Sequence, residues 1–467
     1  MEEQRSAGMR GRNDMTTGPE WKQIVLFSLP IMIGQFLQQL YNTVDGIVVG
    51  NFVSQDALAA VGGCASLTMA YLAVCMGMGN GCAVLIAQLF GAKRYGDLRR
   101  AASTVLIMLG GLGLAFSVLG VLLAKPLLRD AMNIQDPAVL RMAVSYFSIY
   151  AVGLVFQYLY NAVAFVLRAV GDSRATLYFL CITAGLNLGL DLLFVIVFGW
   201  GVVGAAAATI LAQLVCVVFS YVYMIKEYPI FAFKRREFVF DKALGRKCVK
   251  LGVPTTVQQC IISFGNVFLQ RLVNGFGTEL MAAYSVGIRI QGYIFIPIFA
   301  LNGGIATFTG QNIGAGKPDR VRRGMKYTLI TSLIVTVAVS LLVSAFAEPV
   351  ARLFGVEERA LEMSIEMLRF ICRYFIVFSL YMPTGGVLQG SGDVVFVSIS
   401  SLVNLGIRVG LAYALVFVFH YGYASVWSTM PVGWAAGLIM SYARFYSGKW
   451  KNKAVVRTAQ PGEELTI

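Results

Sequence analysis

Charge is what this chain has least of: Asp, Glu, Lys and Arg make up 13% of its 467 residues. A soluble domain carries roughly 25%, so a water-soluble fold of this length is excluded. Histidine is nearly absent. The single His420 cannot build the ligand cluster of a zinc site, and its place at a joint between two apolar runs suits a surface role. The eight cysteines include no CxxC pair and lie mostly inside apolar runs. That argues against a disulfide framework or metal site and for small apolar packing. Residues 1–20 lack the apolar core of a cleavable signal peptide, so the first apolar run is expected to serve as its own insertion signal. Only brief tails are expected to protrude, leaving no room for a soluble nucleotide-binding or sensor domain. With no metal, nucleophile or paired acid–base motif facing water, an enzyme is the least expected class, and no cofactor is implied.

What is abundant is hydrophobic side chain, 57% of the total. About 20 residues rising ~1.5 Å each cross the ~30 Å of bilayer hydrocarbon. Twelve runs of that order are expected as spans: 24–50, 58–88, 102–124, 140–167, 175–198, 202–225, 251–273, 281–309, 327–347, 365–389, 394–419 and 422–446. The predicted class is therefore an all-α polytopic membrane protein whose partner is the lipid bilayer. The net charge of +14 is placed for topology rather than for nucleic acid. Lys and Arg gather in the N-terminal tail, GAKRYGDLRR (91–100), FKRREFVFDKALGRK (233–247), GKPDRVRRGMK (316–326) and SGKWKNKAVVR (447–457). With alternating spans these all fall on one side, which the positive-inside rule makes cytoplasmic together with both termini. The expected home is the cell (inner) membrane. Two glycine-rich stretches are decoys: GMGNG (77–81) lies within an apolar run, without the strand of a dinucleotide fold. QNIGAGKPD (311–319) has Pro318 where a phosphate loop needs Ser or Thr.

The chain is written twice. IAQLFGAKRYGDLRRA (86–101) matches FTGQNIGAGKPDRVRRG (308–324), pairing Gln88 with Gln311 at an offset of 223. LRAVGDS (167–173) matches LQGSGDV (388–394), GLNLGLD (185–191) matches LVNLGIR (402–408), and Pro30 aligns with Pro254. Six spans per half keep both halves in one orientation, so the repeats are expected to be related by an axis along the membrane normal and to enclose a central cavity. The expected organisation is a tail (1–23), a first lobe (24–225), a cytoplasmic linker (226–250), a second lobe (251–446) and a tail (447–467). The two lobes are pseudo-symmetric six-helix bundles.

Ionisable residues inside spans mark ion or proton pathways more often than not. Counting ~1.5 Å per residue, Asp45 lies ~32 Å up the first span, Asn187 and Asp191 ~18 and ~24 Å up the fifth, and Thr209 ~10 Å below the outer end of the sixth. All four share the outer half of the first lobe, and Asn187 and Asp191, i and i+4, share a helix face. Two carboxylates with Asn and Thr oxygens suit sodium, a hard cation. They also suit a proton, because burial and a neighbouring acid both raise a carboxyl pKa. Asn187 and Thr209 taken alone read better as ordinary helix-to-helix hydrogen bonding; the Asp pair reads as functional. The repeat puts Leu269 opposite Asp45 and Arg408 opposite Asp191, while Asn404 repeats Asn187. No acid lies inside the seventh span, which has Gln258, Gln259 and Asn266 instead. Two roles are open to Arg289 and Arg408. One is pairing with Glu279 or capping carbonyls, which the sequence favours; the other is meeting an anionic group on a substrate. Met32, Phe36, Gln38, Tyr41, Tyr158, Met281 and Tyr284 are candidates for a cavity wall, although most such residues are ordinary packing.

PIMIGQFLQQLYNTVDGIVVG, the IAQLFGA turn, LRAVGDSR, GQNIGAGK and LQGSGD, in this order from about Trp21 to Ser447, resemble the multidrug and toxic compound extrusion (MATE) transporters. The resemblance implies a two-lobed, twelve-helix antiporter working as a single chain. It would export organic, often cationic, small molecules in exchange for protons or sodium. In the DinF-like branch the first-lobe cation site is built from an Asp on helix 1, an Asn-x-x-x-Asp pair on helix 5 and a Thr on helix 6. Asp45, Asn187, Asp191 and Thr209 match those positions, Asn161 matches a nearby network residue, and Pro30 matches the helix-1 proline at which that helix bends. The NorM-like branch keeps acids in its second lobe, which this chain lacks. The rivals are a lipid-linked oligosaccharide flippase of the same fold superfamily and an uncoupled channel or receptor.

Overall fold

The computed structural model describes residues 14–52, 55–132, 134–352 and 354–456; the side chains of 41–52 and 55–59 lie outside that description. Twelve long helices follow in chain order: α1 (Glu20–Phe52), α2 (Gln55–Gly91), α3 (Tyr95–Pro126), α4 (Pro137–Ala169), α5 (Ser173–Asp191) and α6 (Gly201–Glu227). The second half supplies α7 (Lys242–Asn274), α8 (Thr278–Gly314), α9 (Pro318–Arg352), α10 (Glu358–Ser391), α11 (Val394–Phe417) and α12 (Met430–Tyr446). No strand occurs among the described residues. The chain is an all-α polytopic membrane protein of twelve helices.

Nine of these helices, among the described residues, are long and apolar enough to cross a bilayer by themselves. The other three have visible reasons for falling short: α7 opens on the basic KALGRKCVK, α10 carries ERALEMSIEMLRFICR, and α12 has only 17 residues. The helices also run past the expected span edges, because a helix continues into the interface wherever its turns remain hydrogen-bonded. The fifth and eleventh helices stop slightly inside their expected spans, and the last begins late. A separate turn, Ser425–Ser428, precedes α12, and Pro431 sits at the start of the helix proper, where its missing N–H costs nothing.

Two compact units form, one on Ile33–Thr256 and the other on Met15–Met32 with Val257–Ile467. The repeat boundary predicts whole helices on either side, but α1 and α7 each divide between the units. Both handovers fall two residues beyond a proline inside the helix, Pro30 and Pro254. Small residues make this packing possible. In the first unit Gly77 and Gly81 of GMGNG face α7, and Gly79 faces Phe165 of α4: Thr255 donates its hydroxyl to the Gly77 carbonyl at 2.6 Å, and a Cβ on Gly81 would stand 2.5 Å from the Gly252 Cα. In the second unit Gly304 of α8, the repeat mate of Gly81, faces Ser28 and Ile24 of α1. Close backbone approach at small residues is how helices associate where apolar burial gives no advantage. The supposed dinucleotide signature is a helix-crossing motif.

The paired GD motifs do the same work twice. Gly171 and Gly392 take φ of 94° and 96°, the left-handed region that glycine enters without a Cβ clash. The acids that follow anchor the last helix of their half. Asp172 accepts from the hydroxyls of Tyr223 and Tyr228 at 3.0 and 2.9 Å, and Asp393 pairs with Arg444 at 2.6 Å. Basic turns are strapped down within each unit as well. Arg99 of α3 bonds Glu237 and the Ala232 carbonyl, while Arg320 of α9 bonds the carbonyls of Met15, Thr17 and Gly18. The core of the second unit is a stack of Phe295, Phe375, Phe378 and Trp434.

Candidate functional site

The first-unit constellation is built by two neighbouring helices. Asn187 and Asp191 stand one turn apart on α5, both buried, at 1% and 3% exposure. Thr209 of α6 accepts from the Asn187 amide at 3.3 Å and donates to the Ala205 carbonyl of its own helix at 3.0 Å. The hydroxyl is therefore held from both sides. Asp191 ends the regular part of α5, and the chain then widens into a π-helical turn, Leu192–Val197. Such widened turns recur at functional positions because they re-aim side chains and loosen the backbone ladder. A Cβ on Gly204 of α6 would stand 3.1 Å from the Phe194 carbonyl carbon, so α6 lies flush against that turn. Nothing in LLFVIV announces the π geometry, and sequence reasoning missed it. Asp45 lies on α1, but its side chain is outside the described residues, as is that of Tyr41.

Asn161 shares no hydrogen bond with this group among the described residues. Buried in α4, it donates to the Gln157 carbonyl of its own helix at 2.8 Å. Pro30 lies inside α1, immediately before the handover between units. Of the cavity candidates, Tyr158 is completely buried and gives its hydroxyl to the Tyr71 carbonyl at 2.6 Å; it is a packing residue. Phe36 and Gln38 are exposed, Met32 and Met281 are half-buried, and Tyr284 is buried.

The second unit carries no carboxylate at the equivalent place. Gln258 of α7 is engaged with Ser401 at 2.6 Å and Ser398 at 3.4 Å. Arg289 is exposed and Arg408 half-buried. Neither pairs with Glu279 among the described residues; the ion pairs of this unit join Glu20 to Arg320 and Arg323, Arg352 to Glu348 and Glu358, Arg359 to Glu362, and Arg444 to Asp393. Of the favoured reading, the ion pair with Glu279 does not occur among the described residues. Arg289 points away from the packed interior, and Arg408 lies instead beside the hydroxyl of Tyr284 on α8. Sequence spacing did not bring Tyr284 and Arg408 together, because they sit on helices far apart in the chain.

Comparison with known proteins follows the same outline. The MatE family model matches residues 30–193 and 254–414, one segment in each repeat. The probable multidrug resistance protein YoeA of Bacillus subtilis is 26% identical, over 94% of this chain and 96% of its own length. The probable multidrug resistance protein NorM of Thermotoga maritima is 25% identical over 93% of this chain and 94% of its own. Among solved structures, the outward-facing conformation of a multidrug resistance MATE family transporter of the MOP superfamily aligns with a TM-score of 0.87. It has 26% identity and covers 94% of this chain and 98% of that one.

Proposed function

Since the chain belongs to the MatE family of multidrug and toxic compound extrusion transporters, we propose that it is an antiporter that exports organic, often cationic, small molecules against an inward flow of protons or sodium. It works as a single chain in the cell membrane with both termini in the cytoplasm. The observation that carries the reading is the buried Asn187–Thr209 bond beside Asp191, at the mouth of a π-helical turn and in one repeat only. A buried acid without a reason is costly and rare in a span. Here an oxygen-rich neighbourhood supplies one.

In this mechanism the ion binds at Asp45, Asn187, Asp191 and Thr209 while the substrate path faces outward. Binding neutralises the carboxylates, and hydrogen bonds that the charged form held are released. The helix that carries Asp45 is interrupted at Pro30, which removes one backbone hydrogen bond and eases bending. A shift between states requires that the ion bind one of them more tightly than the other. The charge state of the acids supplies that difference, and substrate leaves as α1 repacks.

The test is dye export from proteoliposomes with a pH gradient and a sodium gradient imposed separately. One of the two gradients drives export by the native protein, and Asp191→Asn loses that dependence. Export by Asp191→Asn at the native rate under the same gradient would sink the coupling role.

A further inference from the structure

The second unit contains a polar cluster that the coupling mechanism does not use. Arg408 stands on α11 at the repeat position of Asp191, with Asn404 one turn before it at the position of Asn187. Helix α12 lies directly over both: a Cβ on Gly433 would stand 2.5 Å from the Asn404 Oδ1 and 3.4 Å from the Arg408 Cβ. From α8, the Tyr284 hydroxyl faces the guanidinium. Two helical turns further along α8, Gln291 is buried, and its amide reaches only the Met430 sulfur, at 3.9 Å. Thr429 precedes Met430 and is fully buried.

Three atoms in this group are buried without a hydrogen-bond partner: the Arg408 Nε, the Gln291 Oε1 and the Thr429 Oγ1. A buried polar group left unpaired is destabilising, and a cation more so than a neutral group. No acid among the described residues pairs with Arg408, and each of the unit's ion pairs is formed by other residues. Native interiors rarely leave such a set unsatisfied unless something else completes it. What Arg408 and Thr429 lack is an acceptor for the Nε and the hydroxyl. Guanidinium, phenol and threonine hydroxyl all donate, and a planar guanidinium matches a carboxylate in geometry as well as charge. The side chain of Arg408 keeps partial exposure, which leaves it reachable.

We propose that the second repeat carries an anion site, centred on Arg408 with Tyr284 beside it, that takes the carboxylate of an organic substrate. The proposal rests on the reading that small organic molecules are the cargo, and it assigns Arg408 to the carboxylate of a cargo that carries one. The unpaired Gln291 Oε1 accepts from a donor elsewhere on the same ligand. The two repeats thus hold one ancestral position in opposite charge states, a carboxylate at Asp191 and a guanidinium at Arg408.

The test is equilibrium binding to the purified full-length protein in nanodiscs, with no ion gradient. The probe is fluorescent dansylglycine, compared with its methyl ester, which keeps the rings and loses the charge. The native protein is expected to bind the acid at least about tenfold more tightly than the ester, as loss of a charge-assisted hydrogen bond implies. Arg408→Gln removes that preference, Arg408→Lys retains part of it, and Tyr284→Phe weakens acid binding with little change for the ester. Arg359→Gln, at an exposed pair elsewhere in the unit, keeps the preference. Equal affinity of the native protein for acid and ester would overturn the proposal, as would an Arg408→Gln protein that still prefers the acid. Displacement of bound acid by chloride or sulfate at equal concentration would reassign the site to inorganic anions and overturn the organic-substrate claim. Because binding is read without a gradient, failure here leaves gradient-driven dye export untouched. Failure of Asp191→Asn to lose coupling leaves this binding preference untouched in turn.

Discussion

The two repeats share several motifs but differ in charge where their polar groups are buried. On α5 and α6 an amide, a hydroxyl and an acid converge: Asn187 bonds Thr209 beside Asp191. On α11 the amide survives as Asn404, but the acid has become Arg408, with a phenol at its side and a buried Nε that bonds nothing. The scaffold around them has changed less. Gly81 and Gly304 both admit a crossing helix, and Gly171-Asp172 and Gly392-Asp393 both turn the chain and anchor a later helix. The helix crossings and turns are alike in both repeats, while the charge at one buried position is opposite. On the two proposals above, one repeat takes a cation and the other an anion.

The sharpest way to break this comparison is to remove charge from the first repeat. Asp191→Asn keeps shape and hydrogen-bonding reach, so gradient-driven export should vanish while substrate exchange without a gradient persists, both read in proteoliposomes. The anchors come next. Arg444→Ala leaves Asp393 buried and uncompensated, at a cost of about 3–5 kcal/mol. Tyr228→Phe still leaves Asp172 one tyrosine hydroxyl and a backbone N–H, and costs about 1 kcal/mol. Thermal melts of the two purified variants should therefore differ in that order. The glycines separate the repeats more finely. A methyl at Gly81 meets the backbone of Gly252, whereas a methyl at Gly304 meets chiefly the Ser28 hydroxyl, which can rotate. Gly81→Ala is expected to cost about 1–3 kcal/mol and Gly304→Ala clearly less, again by melting temperature. Smallest is Thr209→Ala. A single interhelical hydrogen bond in a bilayer is worth about 0.6 kcal/mol on average. Affinity for the coupling ion should then fall only about threefold, measured as the ion concentration that half-activates export.

Much of the fold was legible because hydropathy in a membrane is a one-dimensional property: a run either matches the bilayer or does not. Twelve runs became twelve helices. Their ends were harder, since nothing in composition stops α9 at the hydrocarbon edge, and the last span began late because Pro431 starts a new helix after a separate turn. Within the candidate site, the i, i+4 spacing of Asn187 and Asp191 was readable, and the reach of Thr209 followed from matching depths in adjacent helices. The π-helical turn after Asp191 was not readable, because LLFVIV is equally apolar in either geometry. Nor were the hydrogen bonds of Asn161 to its own helix and of Tyr158 to the Tyr71 carbonyl.

The sequence by itself determined the solvent, the number of helices and the duplication. Each follows from sums over local stretches or from direct self-comparison. Only the tertiary structure decided that α1 and α7 divide between units after Pro30 and Pro254. It also decided that the GMGNG glycines serve a helix crossing, and that Arg408 meets a tyrosine in place of the expected glutamate. These depend on which atoms from distant parts of the chain come within a few ångströms of one another. Contacts of that kind are set by how helices cross, and neither spacing nor hydropathy encodes the crossing.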